Sequence, residues 1–173
     1  MGTLMTWWRK NRLALAALAV LLPVTAGVMS WSAWSGYREN QPSVPVPVAG
    51  GAVNYAGGII GPAETTELDG ADYGLPDNTR LLRVVLPVVP HDGAPATCQA
   101  PELWDRGGER RWAEQSDLIG AEPSTRKVAC TDELGRYELT LDYVVPADAT
   151  ELSLSVMSAP ELPVFAEIPI ISS

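Results

Sequence analysis

Acidic residues are missing from the first 38 positions of this 173-residue chain, and residues 13–34 carry no charge of either sign. An apolar run of roughly 20 residues is what a helix needs to cross hydrocarbon. Histidine occurs once, as His91, and cysteine twice, as Cys98 and Cys130. One histidine cannot complete a zinc site of the usual His and Cys kind once the cysteines are paired. His91-Asp92-Gly93 offers two members of a hydrolytic triad, but no Gly-x-Ser-x-Gly supplies an activated serine. Gly57-Gly58 and Gly107-Gly108 are not phosphate loops, because neither precedes a helix with Lys and Ser/Thr. No internal repeat stands out, and with a single Phe the core must rely on Val, Leu and Ile. These absences point to a chain that is not an enzyme and uses no cofactor and no metal.

What is present begins with the apolar run, read as a single-pass transmembrane helix over residues 13–34. Arg9, Lys10 and Arg12 precede it and only Arg38 stands just after it. Basic residues are retained on the cytoplasmic side, so residues 1–12 are expected to be a cytoplasmic tail and the C-terminal part extracellular. Trp7 and Trp8 on one flank, and Trp31, Trp34 and Tyr37 on the other, place amphipathic rings at both headgroup levels of the lipid bilayer. The competing reading is a cleaved secretory signal, with residues 13–24 as its apolar region and Val24-Thr25-Ala26 as a small-residue cleavage site. The run continues through Gly27, Val28 and Met29 into the second aromatic pair, which favours a signal-anchor that stays. Pro23 removes one intrahelical hydrogen bond, and Thr25 is a candidate partner for the freed carbonyl. Ala26 and Ser30 have the small-xxx-small spacing that permits close helix approach.

From residue 39 onward the net charge is −13, because all 21 acidic residues but only eight of the 12 basic ones lie there. Such a surface repels phosphate backbones and anionic headgroups, which excludes nucleic acid as a partner. Cys98 and Cys130 fall on the side expected to be oxidising and have no third candidate, so a disulfide is predicted. Residues 35–51 read as an extended linker, because Pro42-Ser43-Val44-Pro45-Val46-Pro47-Val48 cannot make helix.

Residues 52–173 read as β throughout, with short apolar runs or alternation between turn residues. Residues 52–60 give a first strand bulged at Gly57-Gly58, residues 64–78 a polar turn-rich stretch, and residues 80–89 the most apolar strand. Pro87 cannot donate to a ladder, so its end of that strand must lie at an edge or a bulge. Residues 101–105 and 110–113 flank a glycine-bearing turn, a hairpin in which Trp104 and Trp112 could meet and line a carbohydrate or partner surface, although aromatic residues in facing strands are more often packing. Residues 114–127, with Asp117, Glu122 and Pro123, read as a long loop. Tyr137, Leu139, Leu141 and Tyr143 share one face of a strand ending at Pro146, Leu152, Leu154 and Val156 alternate in the next, and residues 163–171 make a last one. The expected fold class is all-β, an antiparallel immunoglobulin-like sandwich of about seven strands preceded by one transmembrane helix.

Two acidic groupings also invite chemistry. Glu64, Glu67, Asp69, Asp72, Asp77 and Asn78 could offer oxygen ligands to calcium, although the spacing fails the EF-hand rule and a solvated loop is the expectation. Asp105 and Glu109 flank the hairpin turn like paired glycosidase carboxylates, but Arg106, Arg110 and Arg111 beside them indicate charge balancing.

The run Leu103-Trp104-Asp105-Arg106-Gly107-Gly108-Glu109-Arg110-Arg111-Trp112, followed by the strand at 137–149 and Leu152-Ser153-Leu154, resembles the closing strands of telokin-like, immunoglobulin-like domains on bacterial envelope proteins. The likeness covers about a third of the chain and implies an exported sandwich. The layout of basic tail, single helix and acidic domain is also similar to small membrane-anchored proteins of actinobacteria, some of which accompany ABC-type export permeases. The resulting expectation is a plasma-membrane protein whose exported domain binds a membrane or envelope protein partner. The alternatives are an accessory subunit of an export permease, or a ligand- or cation-binding sensor module.

Overall fold

A computed structural model describes residues 2–91, 93–120 and 126–172, with the backbone alone for 2–9, 118–119 and 171–172. Asp92, Glu122, Pro123 and the side chains of Trp7, Trp8 and Arg9 lie outside the described residues. The chain divides into two compact units, Met1–Gln41 and Pro42–Ser173.

The first unit is one helix, α1, Gly2–Glu39, with Pro23 inside it. Its Lys10–Glu39 stretch, 30 residues, is long and apolar enough to span a membrane; at 1.5 Å per residue it measures about 45 Å. Proline at position 23 leaves the carbonyl of Ala19 without its usual donor. Thr25 does not repair that vacancy: its Oγ1 donates to Leu21 O at 2.8 Å and Leu22 O at 3.0 Å. Near the C-terminal end the Trp34 and Tyr37 rings stack with centroids 6.2 Å apart. Asn40 closes that end, its backbone N donating to Gly36 O at 3.2 Å and its Nδ2 donating to the same carbonyl at 2.7 Å.

The second unit holds two largely antiparallel sheets. Its strands are β1 Val44–Val46, β2 Val53–Tyr55, β3 Gly58–Ile60, β4 Glu64–Leu68, β5 Thr79–Pro90, β6 Glu102–Asp105, β7 Arg110–Trp112, β8 Tyr137–Pro146, β9 Leu152–Val156, β10 Val164–Pro169 and β11 Ile171–Ser172. One sheet runs β1-β10-β9-β6-β7; the other runs β11-β4-β5-β3-β2, with β8 on β5. Only the β1/β10 and β11/β4 pairings are parallel among the described residues. The chain as a whole is thus one N-terminal helix of 38 residues followed by a β-rich unit of two sheets.

Alternation builds the core. Leu82, Val84, Leu86 and Val88 on β5 and Tyr137, Leu139, Leu141, Tyr143 and Val145 on β8 point inward, against Leu103, Leu154, Val156, Ala166 and Ile168 of the other sheet. Fully burying each such aliphatic side chain is worth about 1.5–3 kcal/mol. Two tyrosines cross this layer with their hydroxyls satisfied: Tyr143 donates to Pro101 O at 2.7 Å, and Tyr55 donates to Val164 O at 2.9 Å while accepting from Ser158 N. Burial pushes both phenols above their ordinary range.

Several boundaries differ from the sequence reading. Residues 35–51 are not one free linker: α1 continues to Glu39, and β1 docks on β10 with Val44 facing Val164. Residues 52–60 form a hairpin of β2 and β3 rather than one bulged strand. The polar stretch at 64–78 contains β4, whose Glu67 faces Leu82 across the ladder. The last strand is two, since β10 belongs to one sheet and β11 to the other. Pro87 sits where β5 changes partner from β4, which ends its pairing at Val85, to β3, which begins at Val88. Gly61 N donates to Pro87 O there at 2.9 Å. The missing donor thus falls at a break in the neighbouring ladder. Gly61 has φ +99, and a Cβ would come within 2.5 Å of Gly51 O, so only glycine fits that crossing.

Candidate functional site

The β6–β7 hairpin carries both tryptophans singled out from sequence, and its register decides what they do. Leu103 faces Trp112 and Trp104 faces Arg111, so the two indoles lie on opposite sides of the sheet and do not meet. Trp112 is half-buried against the core, with the Arg110 guanidinium 5.5 Å from its ring. Trp104 is on the outer face, yet it is only 3% exposed. Three neighbours close over it: Phe165 at a ring separation of 5.2 Å, the Arg111 guanidinium at 4.4 Å and the backbone of Gly108. Between them β9 presents Ser153 and Ser155, whose small side chains leave room for the rings to lean together. The indole Nε1 donates to Glu102 at 3.0 Å. The outer face of this sheet therefore offers a sealed aromatic pair beneath an exposed arginine rather than an open aromatic platform.

At the turn, the Asp105 carboxylate is fully buried and Arg110 binds it through Nε at 2.9 Å and through Nη2, while Arg110 Nη1 reaches Asp148 at 2.9 Å. Burial alone would push the Asp105 carboxyl up, but the Arg110 guanidinium, with Arg106 nearby, holds it below the usual carboxylate range. Contact with Asp105 and Asp148 raises Arg110 in turn. Glu109 is exposed and takes no part. The carboxylates of the turn are charge-balanced through Asp105, not paired across a cleft.

A second buried carboxylate was not singled out from sequence. Asp142, fully buried on the outer face of β8, receives Arg83 Nε at 2.8 Å and Nη2 at 3.1 Å, and a further bond from Arg126. Its hydrogen bond raises the Arg83 guanidinium. The signal was available, because an acid opposite an arginine on two long alternating strands asks for a cross-strand pair.

Cys98 and Cys130 are joined by a disulfide with Cα atoms 4.9 Å apart. It lines an open cavity of about 370 Å³ together with Ala96, Thr97, Ser158 and Pro160. A smaller cleft of about 280 Å³ opens between the sheets beside Arg80, Leu82, Leu152 and Ile170. Compared with known proteins, the chain matches no family model, no curated protein and no solved structure.

The remaining candidates are dispersed. His91 is exposed, with Nε2 2.9 Å from Asn54 Oδ1. In the acidic stretch, Glu67 is taken by Arg80 at 2.9 Å and Asp69 by the amide of Ala71 at 2.9 Å. Among the described residues no three His, Cys, Asp or Glu side chains converge as metal ligands do.

Proposed function

We propose that this chain is a non-enzymatic, single-pass membrane protein whose β-rich unit, an immunoglobulin-like sandwich of the telokin-like kind, lies outside the plasma membrane and binds another envelope component. The observation that carries this reading is the pairing of one helix long enough to span a bilayer with a strongly acidic, disulfide-bonded unit built of two sheets. The basic residues ahead of the apolar run favour an inside N-terminus. The non-enzymatic reading is supported by the engagement of Asp105 and Asp142 in arginine pairs and of His91 with Asn54. Calcium sensing is the weaker reading, because Glu67 and Asp69 already have intramolecular partners.

With Trp104 covered, the contact surface on the hairpin is its charged outer row, Arg111 above all, rather than an aromatic pair. Cross-linking in intact cells followed by purification in mild detergent should recover the chain with one recurrent membrane or envelope protein, and Arg111→Ala should weaken that recovery. A chain that always purifies alone would sink the binding role. Protease added to intact cells should digest the β-rich unit; its survival until lysis would reverse the orientation.

A further inference from the structure

We infer that the Cys98–Cys130 bond is a site of thiol–disulfide exchange, open to an exported dithiol, and that it holds residues 126–131 as a releasable cover along the free edge of β8. This goes beyond the binding role and does not depend on it. Three observations converge. First, both half-buried cysteines, which pack at the border of the core, line the open 370 Å³ cavity, so the bond faces a space that a small dithiol can enter. Second, the bond does not join strands: residues 93–101 and 126–136 contain no helix or strand, and Cys130 N to Cys98 O at 3.1 Å is the backbone bond between the two cysteines. Third, the segment on the Cys130 side makes specific contacts with β8. Lys127 O accepts from Thr140 N at 2.9 Å, Arg126 binds the buried Asp142, and Lys127 lies 5.2 Å from the Tyr137 ring.

Among the described residues the far side of β8 from β5 is otherwise an unpaired edge, completed upstream by Gln115 N donating to Asp142 O at 2.8 Å. An unprotected strand of that length is a template for another strand. In the exchange, one thiolate of the dithiol attacks a sulfur of the Cys98–Cys130 bond, which breaks as a mixed disulfide forms. The second thiol displaces it. Two electrons and two protons pass to the protein, leaving two cysteine thiols and an oxidised dithiol. Residues 126–131 then lose their covalent tether, while β5–β8 pairing, which spans Thr79–Val88 against Tyr137–Pro146, does not involve the bond.

The test uses the full chain in detergent micelles with dithiothreitol and no denaturant. Maleimide mass labelling should show two thiols within minutes. Hydrogen exchange should then quicken at least tenfold at the Thr140 amide, whose acceptor is Lys127 O, with the β5–β8 amides still protected. Cys98→Ala/Cys130→Ala should give the same exchange pattern without reductant. Reduction that occurs only where denaturant has already opened β5–β8 overturns the proposal. So does unchanged exchange at Thr140 after reduction, or collapse of β5–β8 protection in either arm.

Discussion

Two edge strands of the β-rich unit, β1 and β8, solve the same problem by different means. Val44 N points inward and donates to Pro163 O at 3.2 Å. Backbone direction alternates along a strand, so the nitrogen of Pro45 faces out, where proline has no hydrogen to offer. The edge of β1 is therefore blunted by the residue itself, and no change of conditions restores a donor. The edge of β8 is covered by distant chain, through Gln115 and through Lys127 and Arg126, the latter two in a segment tethered by a disulfide. That protection is tertiary and conditional. Composition makes a permanent edge cap; a tethered segment makes one that can be withdrawn.

The largest break in this comparison comes from the tether. Cys98→Ala/Cys130→Ala should lower the unfolding free energy by roughly 3–4 kcal/mol, the chain-entropy value for a loop of this size. Urea titration of the full chain in micelles measures it, and a loss under about 1 kcal/mol would put β8 on the same footing as β1. Next comes Asp142→Asn, which strips Arg83 and Arg126 of their shared anion and should cost about 2–3 kcal/mol in the same assay. Arg126→Gln should cost less, because Arg83 keeps its two-point contact.

Acid sharpens the comparison at a third edge, β7. Asp105 is held below its ordinary value of 3.8, so its pairing with Arg110 stabilises fully above the usual carboxylate range and is lost as pH falls through the lowered value. Amides of β6–β7 should lose protection in that acid window, and in Arg110→Met they should do so at higher pH. The smallest effect on stability belongs to β1. Pro45→Val should change unfolding free energy by no more than about 0.5 kcal/mol, since no inward contact is removed. It should nonetheless introduce concentration-dependent association in sedimentation velocity. A variant that stays unassociated at the highest soluble concentration would show that proline is not what closes that edge.

Much of this fold was legible because the pattern was local. The uncharged run predicts α1, the two cysteines predict each other, and the alternation at Tyr137, Leu139, Leu141 and Tyr143 gives the inner face of β8. What was illegible depended on partners far along the chain. Glu64-Thr65-Thr66-Glu67-Leu68 reads as polar loop because its ladder partner is β5, and the ion-pair partner of Glu67, Arg80, comes from that later strand. Val44-Pro45-Val46 reads as a spacer until β10 arrives more than 100 residues later. The tryptophan pair failed on parity. In the hairpin Leu103 faces Trp112, and a one-residue offset in register sends a side chain to the opposite face. Nothing in the spacing of two tryptophans shows which residue closes the turn; Arg110 opposite Asp105 does.

The closure of Phe165, Gly108 and Arg111 over Trp104 has a practical side. An indole walled in on every flank, as Trp104 is at 3% exposure, emits at short wavelength and is shielded from collisional quenchers such as acrylamide. Trp104 is thus a native optical gauge of the outer surface, and a red shift without unfolding would report a visitor lifting the guanidinium away.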